Sequence, residues 1–236
     1  MLPRRAKKVL LSIGAAVVVA LLAPSIVGAG VLRPPGTTVV SLADALGWRR
    51  FAIVGHSMSS LVALHLAQHL PDRIERAVVL TPPPPTGFGV DAATLDALQA
   101  TARGDDSKRL HTLRTMWGDR LSERWVQFKV ARWRACADPE AVAGYTAMFA
   151  RDGLPDPKAS IAVPVLAVTG EQDAPIMRRE AVAKLLAPLC ERLVVTPLVD
   201  CSHYPMQEAP PLLISILERF MRGDGSQPTE GCTANP

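Results

Sequence analysis

One short turn constrains the fold of this chain more than any other feature. Gly55-His56-Ser57-Met58-Ser59 lies between an apolar run at 51–54 and a helical apolar pattern at 61–70. A second short apolar run follows at 77–80. These patterns predict a buried strand, a helix and a second buried strand, which together form a βαβ unit with parallel strands. The turn therefore predicts an α/β fold.

The rest of the chain continues this pattern after one interruption. Strands are predicted at 163–168 and 192–195, and helices at 37–48, 178–190 and 210–221. The interruption is a stretch without a strand pattern, with helices predicted at 92–102, 107–117, 122–136 and 139–151. The predicted organisation is a targeting segment at 1–32, core at 33–82, a helical insertion at 83–159, core again at 160–222 and a disordered tail at 223–236.

The N-terminal segment resembles a targeting sequence. Residues 1–8 contain four basic residues and no acid, and residues 9–32 carry no charge. One interpretation is a signal peptide cleaved after Ala29, and another is an uncleaved membrane anchor with the body of the protein outside the cytoplasm. A buried helix is the third, although Pro24 would break it.

The remaining charge excludes one class of partner. The chain has 26 basic and 22 acidic residues, so the body is neutral once the four basic residues near the N-terminus are set aside. A neutral body lacks the basic surface of a nucleic-acid-binding domain. We therefore predict no nucleic-acid partner.

Three side chains suggest nucleophilic catalysis. A sharp strand-to-helix turn projects the Ser57 hydroxyl above the sheet and requires small residues such as Gly55 two positions away. The N–H of Met58, at the start of the helix, is a candidate oxyanion donor. Asp173 follows a predicted strand, and His203 lies in the loop before the last helix. A serine needs such a base, and the base needs an acid to orient it.

Other residues are alternatives for these roles. Asp200 and Glu208 are nearby acids and are alternatives to Asp173 for orienting His203, but neither directly follows a strand. His56 is better interpreted as a neighbour of the turn than as the base. The remaining histidines form no metal-ligand pattern with carboxylates, so no metal site is predicted.

These motifs resemble the α/β-hydrolase superfamily of serine esterases and lactonases with a helical cap. The matching segments are IVGHSMSS, VLAVTGEQDAPI and DCSHYPMQEAP, and the resemblance covers about residues 36–222. It implies that Ser57 attacks an acyl carbon, that His203 transfers the proton and that Asp173 orients His203. It also implies that 83–159 is the cap, that no cofactor is needed and that the substrate is a small-molecule ester or lactone.

The sequence departs from that family before Ser57. Only 56 residues precede it, and they contain no His-Gly pair of the kind that supplies the second oxyanion N–H. We therefore expect an N-terminally truncated, mostly parallel sheet of about four strands. The Ser57 strand is expected at its edge unless the N-terminal segment covers it. Three explanations fit this difference: a mis-assigned start, a degenerate copy of a hydrolase, and a compact hydrolase. With a mis-assigned start, the protein would be cytoplasmic. The alternative function is a non-catalytic, membrane-tethered protein that binds a ligand or partner beneath the cap.

Two further groups of residues leave alternatives open. The aromatic residues of the predicted cap either pack or line an acyl pocket, so no substrate-binding residue is assigned. They are Trp117, Trp125, Phe128, Trp133 and Phe149. Cys190 and Cys201 flank the last predicted strand and are either free or paired after export.

Overall fold

The computed structural model describes residues 17–20, 35–117, 121–136 and 138–223. The predicted cleavage site after Ala29 and most of the apolar segment 9–32 lie outside these residues. The predicted tail also lies outside them, apart from Gly223.

A single parallel sheet forms the centre of the molecule. Its strands are β1 (Val17–Ala20), β2 (Phe51–His56), β3 (Ile74–Leu80), β4 (Val165–Gly170) and β5 (Leu193–Leu198). They lie in chain order across the sheet, and each pairs in parallel with the next. The last four are the predicted strands, so the predicted α/β class is confirmed.

Strand β1 comes from the predicted targeting segment. It pairs with β2 from Val17 opposite Ala52 to Ala20 opposite Gly55. Strand β2 is therefore covered on the side where the sequence suggested an exposed edge. Within the described part of the chain, no helix combines the length and the apolarity needed to cross a bilayer. Signal-peptide cleavage and membrane attachment stay predictions.

Nine α-helices occur among the described residues. They are α1 (Pro35–Ala45), α2 (Met58–His69), α3 (Ala92–Arg103), α4 (Asp106–Trp117), α5 (Glu123–Cys136), α6 (Pro139–Ala147), α7 (Arg179–Leu186), α8 (Pro205–Glu208) and α9 (Pro210–Arg222). A π-helical turn, Met148–Asp152, follows α6.

Both faces of the sheet are buried because helices cover each of them. Successive strand residues point to opposite faces. Ile53 accordingly packs in a cluster with α1, α2 and α7, while Val54 packs in a cluster with α9. Burial on both faces explains why the strand sequences are continuous apolar runs and do not alternate between polar and apolar residues.

The helices α3–α6 lie between β3 and β4 in the chain, within the segment predicted as a cap. Aspartates cap two of them: Asp91 accepts the N–H of Thr94 at 2.8 Å, and Asp138 accepts that of Ala141 at 2.9 Å. Such N-caps stabilise a helix by about 1 kcal/mol each. A small apolar cluster forms where α4 and α5 pack together.

The sheet brings the predicted site residues to one edge. In a parallel sheet the carboxyl ends of all strands lie on the same side. Ser57 follows β2, Thr81 follows β3, Asp173 comes just after β4, and His203 comes after β5. Four loops therefore converge where β2–β5 end.

Candidate active site

Ser57 has an unusual backbone conformation at the turn between β2 and α2. Its φ is 52° and its ψ is −126°, a region that non-glycine residues rarely occupy. The Ser57 N–H donates to the Leu80 carbonyl of β3 at 2.9 Å, which helps to hold this turn. A Cβ atom at Gly55 would overlap the Ser59 carbonyl. The small residue that the sequence pattern required is therefore needed for close packing of the backbone.

Ser57, His203 and Asp173 form a hydrogen-bonded chain. The Ser57 Oγ lies 2.9 Å from His203 Nε2, and the His203 Nδ1 lies 2.8 Å from Asp173 Oδ2. Because the Asp173 carboxylate can only accept a hydrogen bond, Nδ1 is assigned as the N–H donor, and Nε2 then accepts a hydrogen bond from the serine hydroxyl. His203 and Asp173 are buried, whereas Ser57 is half-buried. The structure thus brings together the three residues that the sequence selected.

The strand end before Asp173 packs closely against the His203 loop. The N–H of Ala174 donates to Asp173 Oδ1 at 2.7 Å, and Arg178 Nε donates to the Asp173 carbonyl at 2.8 Å. A Cβ atom at Gly170 would overlap the Ser202 carbonyl. This close approach places the acid beside the imidazole.

Glu208 contacts the histidine loop but not the imidazole. Its carboxylate accepts the Ser202 N–H and the Tyr204 N–H, each at 2.9 Å. The other alternative acid, Asp200, is exposed. The partner of the imidazole is therefore Asp173, while Glu208 fixes the backbone on both sides of His203.

The carbonyl of His203 accepts two further hydrogen bonds. His56 Nε2 donates to it at 2.7 Å and Thr81 Oγ1 at 3.1 Å. Thr81 is buried, and its φ of 43° is a backbone conformation that non-glycine residues rarely occupy. Thr81 could not be predicted from the sequence, because no local motif marks a threonine whose hydrogen-bond partner is distant in the chain.

His56 is held neutral by its surroundings. Burial lowers the pKa of His56 to about 3, with smaller contributions in the same direction from His203 and Lys129. The donor atom is therefore Nε2–H of a neutral ring. As the sequence suggested, His56 is a neighbour of the turn, and it donates to the backbone carbonyl of His203.

Met58 is the first residue of α2, so its N–H has no acceptor within the helix. The carboxyl end of β1 lies beside this turn, since Ala20 pairs with Gly55. Residues 21–34, which follow, lie outside the described part of the chain.

Helix α5, in the segment predicted as a cap, contacts the site through Tyr204. The Trp125 and Tyr204 ring centroids are 6.2 Å apart, and the Lys129 Nζ lies 4.9 Å from the centroid of the Tyr204 ring. Trp125 and Trp133 pack against the apolar cluster of α4 and α5, whereas Phe128 is 57% exposed. Trp125 thus lies near the site and Phe128 faces solvent.

Cys190 and Cys201 are both buried, and no disulfide joins them. Burial raises the pKa of the Cys190 thiol to about 12. The alternative that the sequence left open, a disulfide between these residues, is therefore not formed.

Comparison with known proteins agrees with this architecture. A model of the alpha/beta hydrolase family matches residues 8–215. A search of curated protein sequences finds no significant match.

Solved structures share the fold at low identity. An enol-lactonase from Burkholderia xenovorans is 22% identical over 79% of this chain and 71% of its own, with a TM-score of 0.63. A hydrolase from Pseudomonas aeruginosa is 24% identical over 83% of this chain and 76% of its own, with a TM-score of 0.64. An esterase from Exiguobacterium antarcticum is 15% identical over 79% of this chain and 72% of its own, with a TM-score of 0.66. Because the family model matches more than half of the sequence, the chain belongs to the alpha/beta hydrolase family.

Proposed function

We propose that this protein is a serine hydrolase that cleaves a carboxylic ester or a lactone through an acyl-enzyme on Ser57. The observation that carries the proposal is the hydrogen-bonded chain from Ser57 Oγ through His203 to Asp173. The similarity to an enol-lactonase and an esterase agrees with this substrate class.

In the first half-reaction, Ser57 Oγ attacks the carbonyl carbon and its proton passes to His203 Nε2. Asp173 stabilises the imidazolium that forms and keeps the ring oriented. When the tetrahedral intermediate collapses, the bond to the leaving oxygen breaks and His203 returns the proton to that oxygen. The products are an alcohol and an acylated Ser57.

In the second half-reaction, a water molecule attacks the acyl carbon and gives a proton to His203 Nε2. The bond to Ser57 Oγ then breaks, the serine recovers its proton and a carboxylic acid leaves. The Met58 N–H at the start of α2 is the proposed donor to the oxyanion in both steps. One such donor contributes on the order of 10²–10³ in rate.

The fixed network around His203 supports this mechanism. Glu208, His56 and Thr81 all bond the backbone of the His203 loop, so Nε2 is held in place while the ring gains and loses a proton. His56 is neutral, so it adds no positive charge beside the imidazolium.

The test is hydrolysis of 4-nitrophenyl esters and of a lactone by the full chain and three variants. Ser57→Ala should abolish turnover, and Asp173→Asn should lower kcat about 10⁴-fold. Asp200→Asn is the matched control and should leave kcat unchanged, since that acid is exposed and does not contact His203. A correctly folded wild type that hydrolyses no substrate, or Ser57→Ala at wild-type activity, would overturn the proposal.

A further inference from the structure

One cation near the candidate site has no carboxylate partner among the described residues. Lys129 lies on the cap helix α5 and is half-buried, and Val126 and Val130 of the same helix are buried. Its Nζ lies 4.9 Å from the Tyr204 ring centroid and 5.6 Å from that of Trp125. Contact with two aromatic faces compensates part of the loss of hydration of an ammonium group.

The ammonium group lies close to the proposed catalytic base. The Tyr204 ring centroid is 5.2 Å from that of His203 and 4.9 Å from that of His56. A single ring therefore separates Lys129 from the imidazole. The positive charge of Lys129 also contributes to the lowered pKa of His56, which agrees with this proximity.

No carboxylate of the described residues forms an ion pair with Lys129. The acids near the site have other partners, because Asp173 binds His203 and Glu208 accepts two backbone N–H groups. Burial and the neighbouring charge of Arg132 both lower the pKa of Lys129. A half-buried charge that has no counter-ion in the described part of the chain is costly, so it favours the binding of an anion.

We propose that Lys129 binds an anionic group of the substrate, so that the preferred substrate is an ester or lactone that also carries an ionised carboxylate. This inference rests on the proposed hydrolase function and specifies its substrate class. The carboxylate would lie beneath α5, and the carbonyl to be cleaved would lie at Ser57. Lys129 is then a specificity-determining residue of the cap.

The competing role for Lys129 is to hold the cap against Tyr204. A cation over an aromatic ring stabilises such a contact whether or not an anion binds. The two roles differ in one respect: loss of packing affects all substrates, whereas loss of an anion site affects only charged ones.

The first test compares two esters with six-carbon acyl groups on the full chain. One is 4-nitrophenyl hexanoate, and the other is the mono-4-nitrophenyl ester of adipic acid, which ends in a carboxylate. Wild type should prefer the charged ester in kcat/KM. Lys129→Met should lower kcat/KM for the charged ester about tenfold to a hundredfold, mainly through KM. Turnover of the neutral ester should change less than about threefold.

Two controls accompany this comparison. Lys129→Arg should retain part of the preference because it keeps the charge. Lys108→Met, which removes an exposed lysine of the cap helix α4, should leave both esters unchanged. Equal losses on both esters in Lys129→Met, or a wild type without preference, would overturn the proposal. Thermal melting of each variant shows whether it is folded.

A binding measurement separates this inference from the proposed function. Adipate is titrated by calorimetry into Ser57→Ala and into Ser57→Ala with Lys129→Met. If adipate binds Ser57→Ala, and binds the double variant at least tenfold more weakly, the anion site is supported even if no ester is hydrolysed. Equal binding, or no binding to either, contradicts the anion site even if neutral esters are hydrolysed.

Discussion

Glu208 holds the backbone on both sides of His203. Its two carboxylate oxygens accept the N–H groups of Ser202 and Tyr204, each at 2.9 Å. Both N–H groups lie next to the residue proposed as the base, so this carboxylate determines where the imidazole is anchored. A displacement of that anchor lengthens the bond to Ser57 Oγ, and reactions of this kind are sensitive to shifts of about 1 Å.

Glu208→Gln should lower kcat while the fold is retained. The amide offers one accepting oxygen and turns an N–H₂ group toward a backbone N–H, so one charged hydrogen bond is lost. We expect kcat to fall about tenfold to a hundredfold with KM little changed. Steady-state kinetics and thermal melting measure the two effects separately.

The control for this substitution is Glu218→Gln. Glu218 forms an exposed i,i+4 pair with Arg222 on α9, and such pairs contribute little. It should leave both kcat and melting temperature unchanged. A Glu208→Gln variant with wild-type kcat would show that the carboxylate does not position His203.

His56 should make the protein less stable in acid. Its pKa is lowered from 6.5 to about 3 in the folded protein, so between these values the unfolded chain binds a proton that the folded protein does not. The free energy of unfolding is thus fully retained above pH 6.5 and falls as the pH is lowered toward 3. At pH 4 the loss due to His56 is about 3 kcal/mol.

Urea unfolding at pH 7, 5.5 and 4 measures this effect. His56→Gln keeps an N–H donor but does not titrate, so its stability should decrease less between pH 7 and pH 4 than that of the wild type. His111→Gln, which replaces an exposed histidine on α4, is the control and should show the wild-type slope. Parallel pH dependence in wild type and His56→Gln would contradict a buried neutral His56.

Part of the candidate site can be predicted from the sequence, because some of the constraints on its residues come from neighbouring residues in the chain. Ser57 lies between a strand pattern and a helix pattern, and Asp173 directly follows a strand, so parallel-sheet geometry predicts that both reach one edge. Glu208 and Thr81 are different, because their partners lie in backbone that only the fold brings near. The sequence identified Glu208 as an acid near His203 but not its bonds to two backbone N–H groups.

Strand β1 shows where sequence patterns are ambiguous. A continuous apolar run fits a signal peptide, a membrane anchor and a strand buried on both faces, since none of these alternates polar and apolar residues. The four residues Val17–Ala20 gain their strand conformation from pairing with β2. That contact is between segments more than 30 residues apart in the chain, and periodicity carries no information about it.

Gly170→Ala should destabilise the protein strongly. Its added Cβ would overlap the Ser202 carbonyl, which is backbone and has little freedom to move. We expect a loss of about 3 kcal/mol or more in the free energy of unfolding, together with lower activity because the His203 loop is displaced. Chemical denaturation and ester hydrolysis measure these two consequences.

Gly144→Ala is the matched control. Gly144 is an exposed residue within α6, and a Cβ there would meet no atom within 4 Å. Alanine should raise the free energy of unfolding by about 0.5–1 kcal/mol. Equal effects of the two substitutions would show that β4 and the His203 loop do not approach as closely as described.

Removal of β1 should expose the apolar edge of β2. A chain lacking residues 2–29, which corresponds to cleavage after Ala29, loses the strand that pairs with Ala52–Gly55. We expect lower melting temperature and self-association, because an uncovered apolar strand edge promotes pairing between chains. Size-exclusion chromatography and thermal melting test this expectation.

The control for that deletion is a chain lacking residues 224–236, which lie within the tail predicted to be disordered at 223–236. This chain should behave as wild type. A monomeric chain without residues 2–29 and with unchanged melting temperature would show that β1 is dispensable. The N-terminal residue of the protein isolated from cells, read by mass spectrometry, then tests whether the predicted cleavage occurs.

The most direct test of the central claim is intact-mass analysis after treatment with a fluorophosphonate. This reagent reacts with a serine only when a neighbouring base and an oxyanion site activate it. We predict one adduct on the full wild-type chain, none on Ser57→Ala and much slower labelling of His203→Ala. Labelling that persists in Ser57→Ala, or a folded wild type that remains unlabelled, would contradict Ser57 as an activated nucleophile.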